Sequence, residues 1–508
     1  MINGIWREER VLQRYTRKQI VESVPQTGFF GHPKGLFTLF FTEFWERFSY
    51  YGMRAILVYY MYYEVSKGGL GLDENVALAI MSIYGSLVYM SGILGGWIAD
   101  RVTGTSNAVF YGGVLIMFGH IALAVPGDIA FFFLSMVLIV IGTGLLKPNV
   151  SSIVGEMYDE KDARRDAGFS IFYMGINMGA FLSPFVVSFF SDRYNFHAGF
   201  GVAAVGMFLG LIMFMLTRKK NLGLAGTQIP NPLSAEEKKN FLKIFIVSAI
   251  ILAIILPLSI YRKWLTIDRF VALVGLLGIL IPVAYFVVMY RSPKTKPVER
   301  SRLLAYVPLF IASVMFWAIQ EQGSTVLANF ADQRTQLDIW GIRINPAWFQ
   351  SLNPLFIITL APVFAWLWVK MGERQPSIPK KFALALVFAG LSFLVIIVPG
   401  YMAGEGTLVN PLWLVLSYLI VVLGELCLSP VGLSATTKLA PEAFQAQTMS
   451  LWFLSNAAAQ AINAQLAKFY TEASEMVYFG TIGLVSIVLG ILMFFISPAI
   501  QEKMQGIK

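Results

Sequence analysis

Glu43, Glu46, Arg47, Tyr50, Tyr51 and Arg54 recur at i, i+3, i+4, i+7, i+8 and i+11, the spacing that gathers side chains on one face of an α-helix. They lie within residues 36–63, a run apolar and long enough to cross a bilayer. Two acids and two arginines therefore share one face of a buried helix. An ionised side chain at that depth costs several kcal/mol unless paired or hydrated, so the stripe reads as a functional site, with a structural ion-pair network as the plainer alternative. Lys147, Glu321 and Glu425, and less deeply Lys468, interrupt other apolar runs in the same way.

Setting Lys468 aside, the acids Glu43, Glu46, Glu321 and Glu425 face the bases Arg47, Arg54 and Lys147. In one shared cavity they would leave a negative excess in a low dielectric, which suits one carboxyl to carry a proton near neutral pH. All the bases belong to the first half of the chain, and Glu321 and Glu425 to the second. A cavity between the halves would then set Arg54 and Lys147 opposite Glu425. That polarity matches a zwitterion: an extended dipeptide separates its carboxylate and ammonium by roughly 6 to 7 Å, and arginine grips a carboxylate bidentately. Tyr51, Tyr89, Trp317 and Trp452 could line pockets for variable side chains, although each taken alone is more readily a packing residue. Lys147 precedes Pro148, and Glu425 stands in the run Gly424-Glu425-Leu426-Cys427-Leu428-Ser429-Pro430. Proline permits a kink, so both acquire gate-like positions; the plainer readings are a snorkelling lysine and a packed acid.

The elements that position these residues follow from composition. Of 508 residues, 56% are hydrophobic and 14% charged, against about 25% charged in soluble chains, and the mean hydropathy is +0.65. This is an all-α polytopic membrane protein. Cys427 is the single cysteine, and His32, His120 and His197 are scattered, so neither a disulfide framework nor a multi-cysteine or histidine metal site is expected. No Ser-His-Asp or Cys-His arrangement and no GxxxxGK[ST] loop is present, which argues against an enzyme and against an ATP-driven pump. No cofactor is expected. The net charge of +9 is explained by loop topology rather than by nucleic acid.

Apolar windows place spans near 36–63, 75–98, 107–125, 129–148, 168–190 and 198–217, then 241–261 and 268–290, then 303–322, 347–369, 381–398, 410–430, 448–470 and 477–498. The plan is six, two and six. Ser234 and Glu237 form a capping box at the start of the middle pair. Most lysines and arginines fall in loops that would share one side with both tails, which puts both termini in the cytoplasm. The basic loop Tyr261 to Arg269 is the exception, leaving the middle pair either a tolerated anomaly or re-entrant. The polar tail 1–35 lacks an apolar core and reads as a cytoplasmic segment, not a cleavable signal peptide. The domains are that tail, a first bundle over 36–217, connectors and accessory pair over 218–302, a second bundle over 303–498 and a tail over 499–508.

This plan matches the major facilitator superfamily, and Gly95-Gly96-Trp97-Ile98-Ala99-Asp100-Arg101 resembles that superfamily's loop motif, with a faint echo at Lys370-Met371-Gly372-Glu373-Arg374. More specifically, Glu43-x-x-Glu46-Arg47-Phe48-x-Tyr50-Tyr51-Gly52 resembles the ExxERFxYYG signature of the proton-coupled oligopeptide transporters, and Phe172-Tyr173-x-x-Ile176-Asn177-x-Gly179 their FYxxINxG signature. The resemblance covers about residues 30–500, and the extra pair looks like the accessory helices of bacterial members. It implies that Glu43, Glu46 and Arg47 form a proton-linked cluster and that Glu321 pairs with Arg54 when the outer gate closes and carries the coupling proton. It further implies that Arg54 and Lys147 hold the peptide carboxylate and that Glu425, helped by Asn177 and Asn353, holds its amino group. Tyr51, Tyr89, Trp317, Ser429 and Trp452 complete the substrate-facing set, and a Lys147–Glu425 contact closes the inner side. With no histidine in the first two spans, the histidine-assisted coupling of animal relatives has no residue to use there.

The expected function is thus proton-driven symport of di- and tripeptides across the plasma or inner membrane by a monomer, through alternating access. Two alternatives remain at this point: transport of nitrate or another anion, which the acid at Glu425 opposes, and a nutrient receptor that signals without transport, for which no long cytoplasmic domain is visible.

Overall fold

The computed structural model describes residues 15–507, apart from 128, 160, 161, 163, 340 and 404–407. The first described element is a short helix, α1 (Arg17–Ser23), closed at its start by a capping box between Thr16 and Gln19. The first six long helices are α2 (Gly35–Tyr62), α3 (Glu74–Ile98), α4 (Thr105–Ala124), α5 (Ile129–Glu156), α6 (Arg164–Arg193) and α7 (Phe196–Asn221). The middle pair is α8 (Ala235–Tyr261) and α9 (Ile267–Arg291). The second six begin with α10 (Pro297–Gln320), which continues through a 3-10 turn, Glu321–Ser324, into α11 (Val326–Gln333). A two-residue hairpin, β1 (Asp338–Ile339) with β2 (Ile342–Arg343), follows. Then come α12 (Leu352–Met371), α13 (Ile378–Ala403), α14 (Leu412–Leu439), α15 (Gln445–Leu466) and α16 (Glu475–Lys503).

The expected plan of spans is therefore present, and the differences lie at helix ends. The apolar window for the fourth span stops at 148, but α5 runs on to Glu156; likewise α14 passes Pro430 and ends at Leu439. Pro148 and Pro430 sit inside these helices, where proline interrupts one backbone hydrogen bond without ending the helix when neighbours pack around it. The ninth span differs in the other direction. It breaks at Glu321, and Thr325 adopts φ −125°, ψ −97° between the 3-10 turn and α11.

Helix starts are set locally. The Asp73 carboxylate accepts from the Asn75 and Val76 amides at the start of α3, and Asn195 and Thr266 cap α7 and α9. The Ser234–Glu237 capping box forms as expected, with Ser234 N donating to Glu237 at 2.8 Å and Glu237 N to Ser234 Oγ at 3.2 Å. At 27 and 25 residues, α8 and α9 each have the length of a full span. α9 packs against α3 and α15, while α8 leaves Leu242, Ile244, Phe245 and Ile254 exposed. The connector before α8 is held by the GGWIADR segment: the Asn231 and Leu233 amides donate to the Asp100 and Arg101 carbonyls, and Arg101 pairs with Glu237 at 2.8 Å. Its echo in the second half does less. Gly372, at φ +51°, ends α12 in a conformation that glycine adopts without strain.

In the first half α2 packs on α6 and α7, α4 on α5 and α7, and α3 on α5; in the second, α13 packs on α14 and α16, and α10 on α15. The halves meet where α3 lies along α15 and where α6 meets α12 and residues 346–351. α3 and α5 approach closely at Gly95, where an added Cβ would stand 1.9 Å from the Gly144 carbonyl oxygen. Gly95→Ala is accordingly expected to push these helices apart at a cost of about 1 to 3 kcal/mol. A thermal melt of the detergent-solubilised protein should fall by several degrees, and an unchanged melt would show that the crossing loosens freely.

Candidate functional site

The stripe on α2 is almost completely buried: Glu43, Glu46, Arg47 and Arg54 are all 5% exposed or less. It divides into two parts. Arg47, one turn beyond Glu43, places its Nε 3.1 Å from Glu43 Oε1 and also pairs with Glu46. Its guanidinium lies over the rings of Tyr50 and Tyr51, 5.2 and 5.9 Å from their centroids. Arg54, two turns on from Arg47, turns to the other half of the molecule, and its Nη2 lies 2.6 Å from Glu321 Oε2. The helix break presents Glu321 there, because it follows the last residue of α10 and begins the 3-10 turn.

Glu321 is the centre of a wider arrangement. Gln460 Nε2 on α15 donates to the same Oε2 at 2.7 Å, and the Tyr89 hydroxyl on α3 donates to Oε1 at 3.3 Å. Lys147 Nζ on α5 stands over the Tyr89 ring, 4.4 Å from its centroid. Among the described residues no carboxylate forms an ion pair with Lys147, so its ammonium has only the ring as a partner. Glu425 on α14 is 8% exposed, and its Oε2 accepts from Asn353 Nδ2 at 3.0 Å and Gln320 Nε2 at 2.9 Å. The two acids of the second half are thus linked through neighbouring residues, since Gln320, which donates to Glu425, immediately precedes Glu321. The charges form three groups: the Glu43–Glu46–Arg47 cluster, the Arg54–Glu321 pair beside Lys147, and an acid held by amides.

The expected residues are distributed as follows. Asn353 contacts Glu425, whereas Asn177 donates to the Tyr173 carbonyl of its own helix at 3.0 Å and does not reach Glu425. The Lys147–Glu425 contact is not formed in this conformation, in which both groups have the other partners described. Tyr51 and Tyr89 are half-buried beside the cations. Trp317 is half-buried, edge-on to Phe316 with centroids 5.4 Å apart. Trp452 is buried against Gly432, where an added Cβ would come within 2.1 Å of its ring, so it closes the contact between α14 and α15. Ser429 lies one turn beyond Glu425, with a buried hydroxyl that has no hydrogen-bond partner among the described residues.

At the end of the molecule away from the termini the halves are clasped. The hydroxyls of Tyr62 and Tyr63 donate to Asp332 on α11 at 2.7 and 2.8 Å, and Tyr59 donates to the Ala328 carbonyl at 3.2 Å. Asn345 donates to Asp192 at 2.7 Å, Trp348 to Ser188 at 3.0 Å and Ser351 to the Phe181 carbonyl at 2.9 Å. Sequence reasoning missed Gln320, Gln460 and Asp332. Gln460 left a signal, since Asn456, Gln460 and Asn463 stand at i, i+4 and i+7 in an apolar run; amides are also costly to bury, but a search limited to ionisable groups passes over them.

Two groups of six helices closing around polar groups at mid-depth define a secondary transporter of the major facilitator class, not an enzyme. The chain belongs to the POT family, whose PTR2 model matches residues 106–485. It is 64% identical over 490 residues to the uncharacterized transporter YclF of Bacillus subtilis (strain 168), covering 96% of this chain and 99% of that one. It is 45% identical over 488 residues to the di-/tripeptide transporter of Lactococcus lactis subsp. cremoris, covering 94% of this chain and 98% of that one. Among solved structures it is similar to the peptide transporter POT crystallised in complex with sulfate, with 72% identity, a TM-score of 0.95, and coverage of 97% of this chain and 100% of that one.

Proposed function

We propose that this protein carries di- and tripeptides into the cell together with protons, by alternating access. The observation that carries the reading is the pair of opposite charges left without ionic partners on opposite halves: Lys147 on α5, resting on Tyr89, and Glu425 on α14, held by Asn353 and Gln320. A peptide zwitterion supplies the missing partner to each. Its carboxylate would take Lys147 and compete for Arg54; its ammonium would take Glu425. The name of the Lactococcus relative, a di-/tripeptide transporter, supports the same substrate class.

Glu321 is the proton carrier in this reading. Ionised, it holds Arg54 and keeps the far end shut; protonated, it loses the charge that holds the guanidinium. Glu43, Glu46 and Arg47 form a second proton-linked cluster on α2, two to three turns from Arg54. With both termini in the cytoplasm, as the positive loops favour, the clasped end would face outward and the conformation described would be closed to the outside. The working unit is a monomer in the plasma or inner membrane.

Accumulation of labelled dialanine in liposomes, driven by an imposed proton gradient, tests the proposal. One proton moving through 100 mV supplies about 2.3 kcal/mol, which corresponds to roughly 50-fold accumulation. Nitrate uptake without dialanine uptake would support an anion carrier, and tight peptide binding with no uptake a receptor; either result would overturn the peptide symporter.

A further inference from the structure

The sequence pattern and the proposed roles leave Gln460 without a function, yet its placement is specific. It is fully buried on α15, and Nε2 donates at 2.7 Å to Glu321 Oε2, the same oxygen that Arg54 Nη2 holds at 2.6 Å. Its other amide atom, Oε1, is buried and accepts from no described residue. Glu321 is therefore the one polar partner the structure shows for this amide. Facing it on α3 is Gly85, where an added Cβ would stand 2.7 Å from Gln460 Nε2. A glycine at this point of the α3–α15 seam leaves room for the amide, and any larger residue would press on it.

We infer that Gln460 is a positioning residue that serves Glu321 in both of its protonation states, a reading that rests on the proton-carrier role proposed above. A primary amide carries donors on one side and an acceptor on the other. While Glu321 is ionised, Nε2 donates to Oε2 as observed. When a hydronium ion gives up a proton and leaves as water, the new O–H bond forms on Oε2. A half-turn of the amide about its last side-chain bond then brings Oε1 to accept that hydrogen. No other bond forms or breaks. Because Arg54 and Gln460 share Oε2, the hydrogen that the turned amide accepts sits on the oxygen that Arg54 grips, which weakens that grip directly. The charged and titratable groups facing Glu321 are Arg54, Tyr50 and Tyr51 from α2, Tyr89 from α3, Lys147 from α5 and Glu425 from α14. α15 contributes an uncharged amide, which can exchange donor for acceptor without changing the charge of the site.

Gln460→Met, which keeps the volume and removes both hydrogen-bonding functions, tests the inference in the full chain reconstituted in liposomes. The ratio of proton-driven dialanine accumulation to dialanine counterflow is expected to fall about tenfold, the order set by one hydrogen bond to a charged group, and the dependence of accumulation on pH should flatten. Gly85→Ala, which displaces the amide without removing it, should move both readouts in the same direction by less. Equal loss of accumulation and counterflow would mark a merely structural residue, and an unchanged ratio would show that the amide does nothing for Glu321; either outcome overturns the inference. An infrared signature separates it from the transport reading. The carboxylic C=O stretch that disappears in Glu321→Gln should move to higher frequency in Gln460→Met, and a band that stays in place overturns the inference even if the wild type carries no peptide at all.

Discussion

Glu321→Gln is expected to abolish the accumulation of dialanine against its gradient while leaving some exchange of peptide for peptide. The side chain is nearly isosteric, so the contacts of Gln460 and Tyr89 with this position can persist in altered form. It has no proton to gain or lose, and it cannot form an ion pair with Arg54, which in the native protein lies 2.6 Å from Glu321 Oε2. A buried guanidinium left without its carboxylate favours any conformation that hydrates it, so the closed far end loses stability relative to the open one. The accumulation ratio should fall from roughly 50-fold at 100 mV to equilibration, whatever the pH outside. Counterflow, which needs substrate on both sides and no net proton movement, should survive. Undiminished pH-driven accumulation in this variant would refute the assignment of the coupling proton to Glu321 and move it to Glu43, Glu46 or Glu425.

Lys147→Ala should have an effect of similar size on a different quantity. Its ammonium is only partly buried, lies over Tyr89 at 4.4 Å, and forms no ion pair among the described residues. Removing it takes away a charge available to the substrate while leaving no buried partner stranded. A hydrogen bond to a charged group contributes about 1.5 to 3 kcal/mol, so the affinity for dialanine should drop roughly 10- to 100-fold. The control is the C-terminal amide of the same peptide, which offers no carboxylate; its affinity, measured by competition, should change little in the variant. If the free acid and the amide lose affinity equally, Lys147 supports the helix rather than the substrate. The two experiments separate proton from peptide, because the first leaves binding groups in place and the second leaves the titrating acid in place.

Much of this was legible in the order of residues, and the reasons are local. A hydrocarbon layer about 30 Å thick demands roughly twenty apolar residues per crossing, so each span announces itself without reference to its neighbours. The stripe from Glu43 to Arg54 was visible because one helix carries it whole. The capping box at Ser234 needs only three residues of separation, and it forms. The ends of α5 and α14 were less legible, since hydropathy marks where the apolar run stops and not where the helix does. The break at Glu321 was invisible for a related reason: Glu-Gln-Gly-Ser carries no proline, and the turn is held by packing against parts of the chain far away in sequence.

The residues decided, by their own chemistry, that charges would stand inside a membrane and that one helix would carry four of them. Which charges meet was left to the tertiary structure. Arg54 and Glu321 are separated by most of one bundle and the accessory pair, and nothing in either neighbourhood names the other. Lys147 and Glu425 could have formed an ion pair by the same reasoning; in this conformation they stand apart, one on a tyrosine ring and the other held by two amides. Gln460 and Asp332 entered the site only when helices from both halves were brought together. Burial cost can be read one helix at a time, because it depends on depth, whereas ion pairing depends on distances between helices that only the packed halves set.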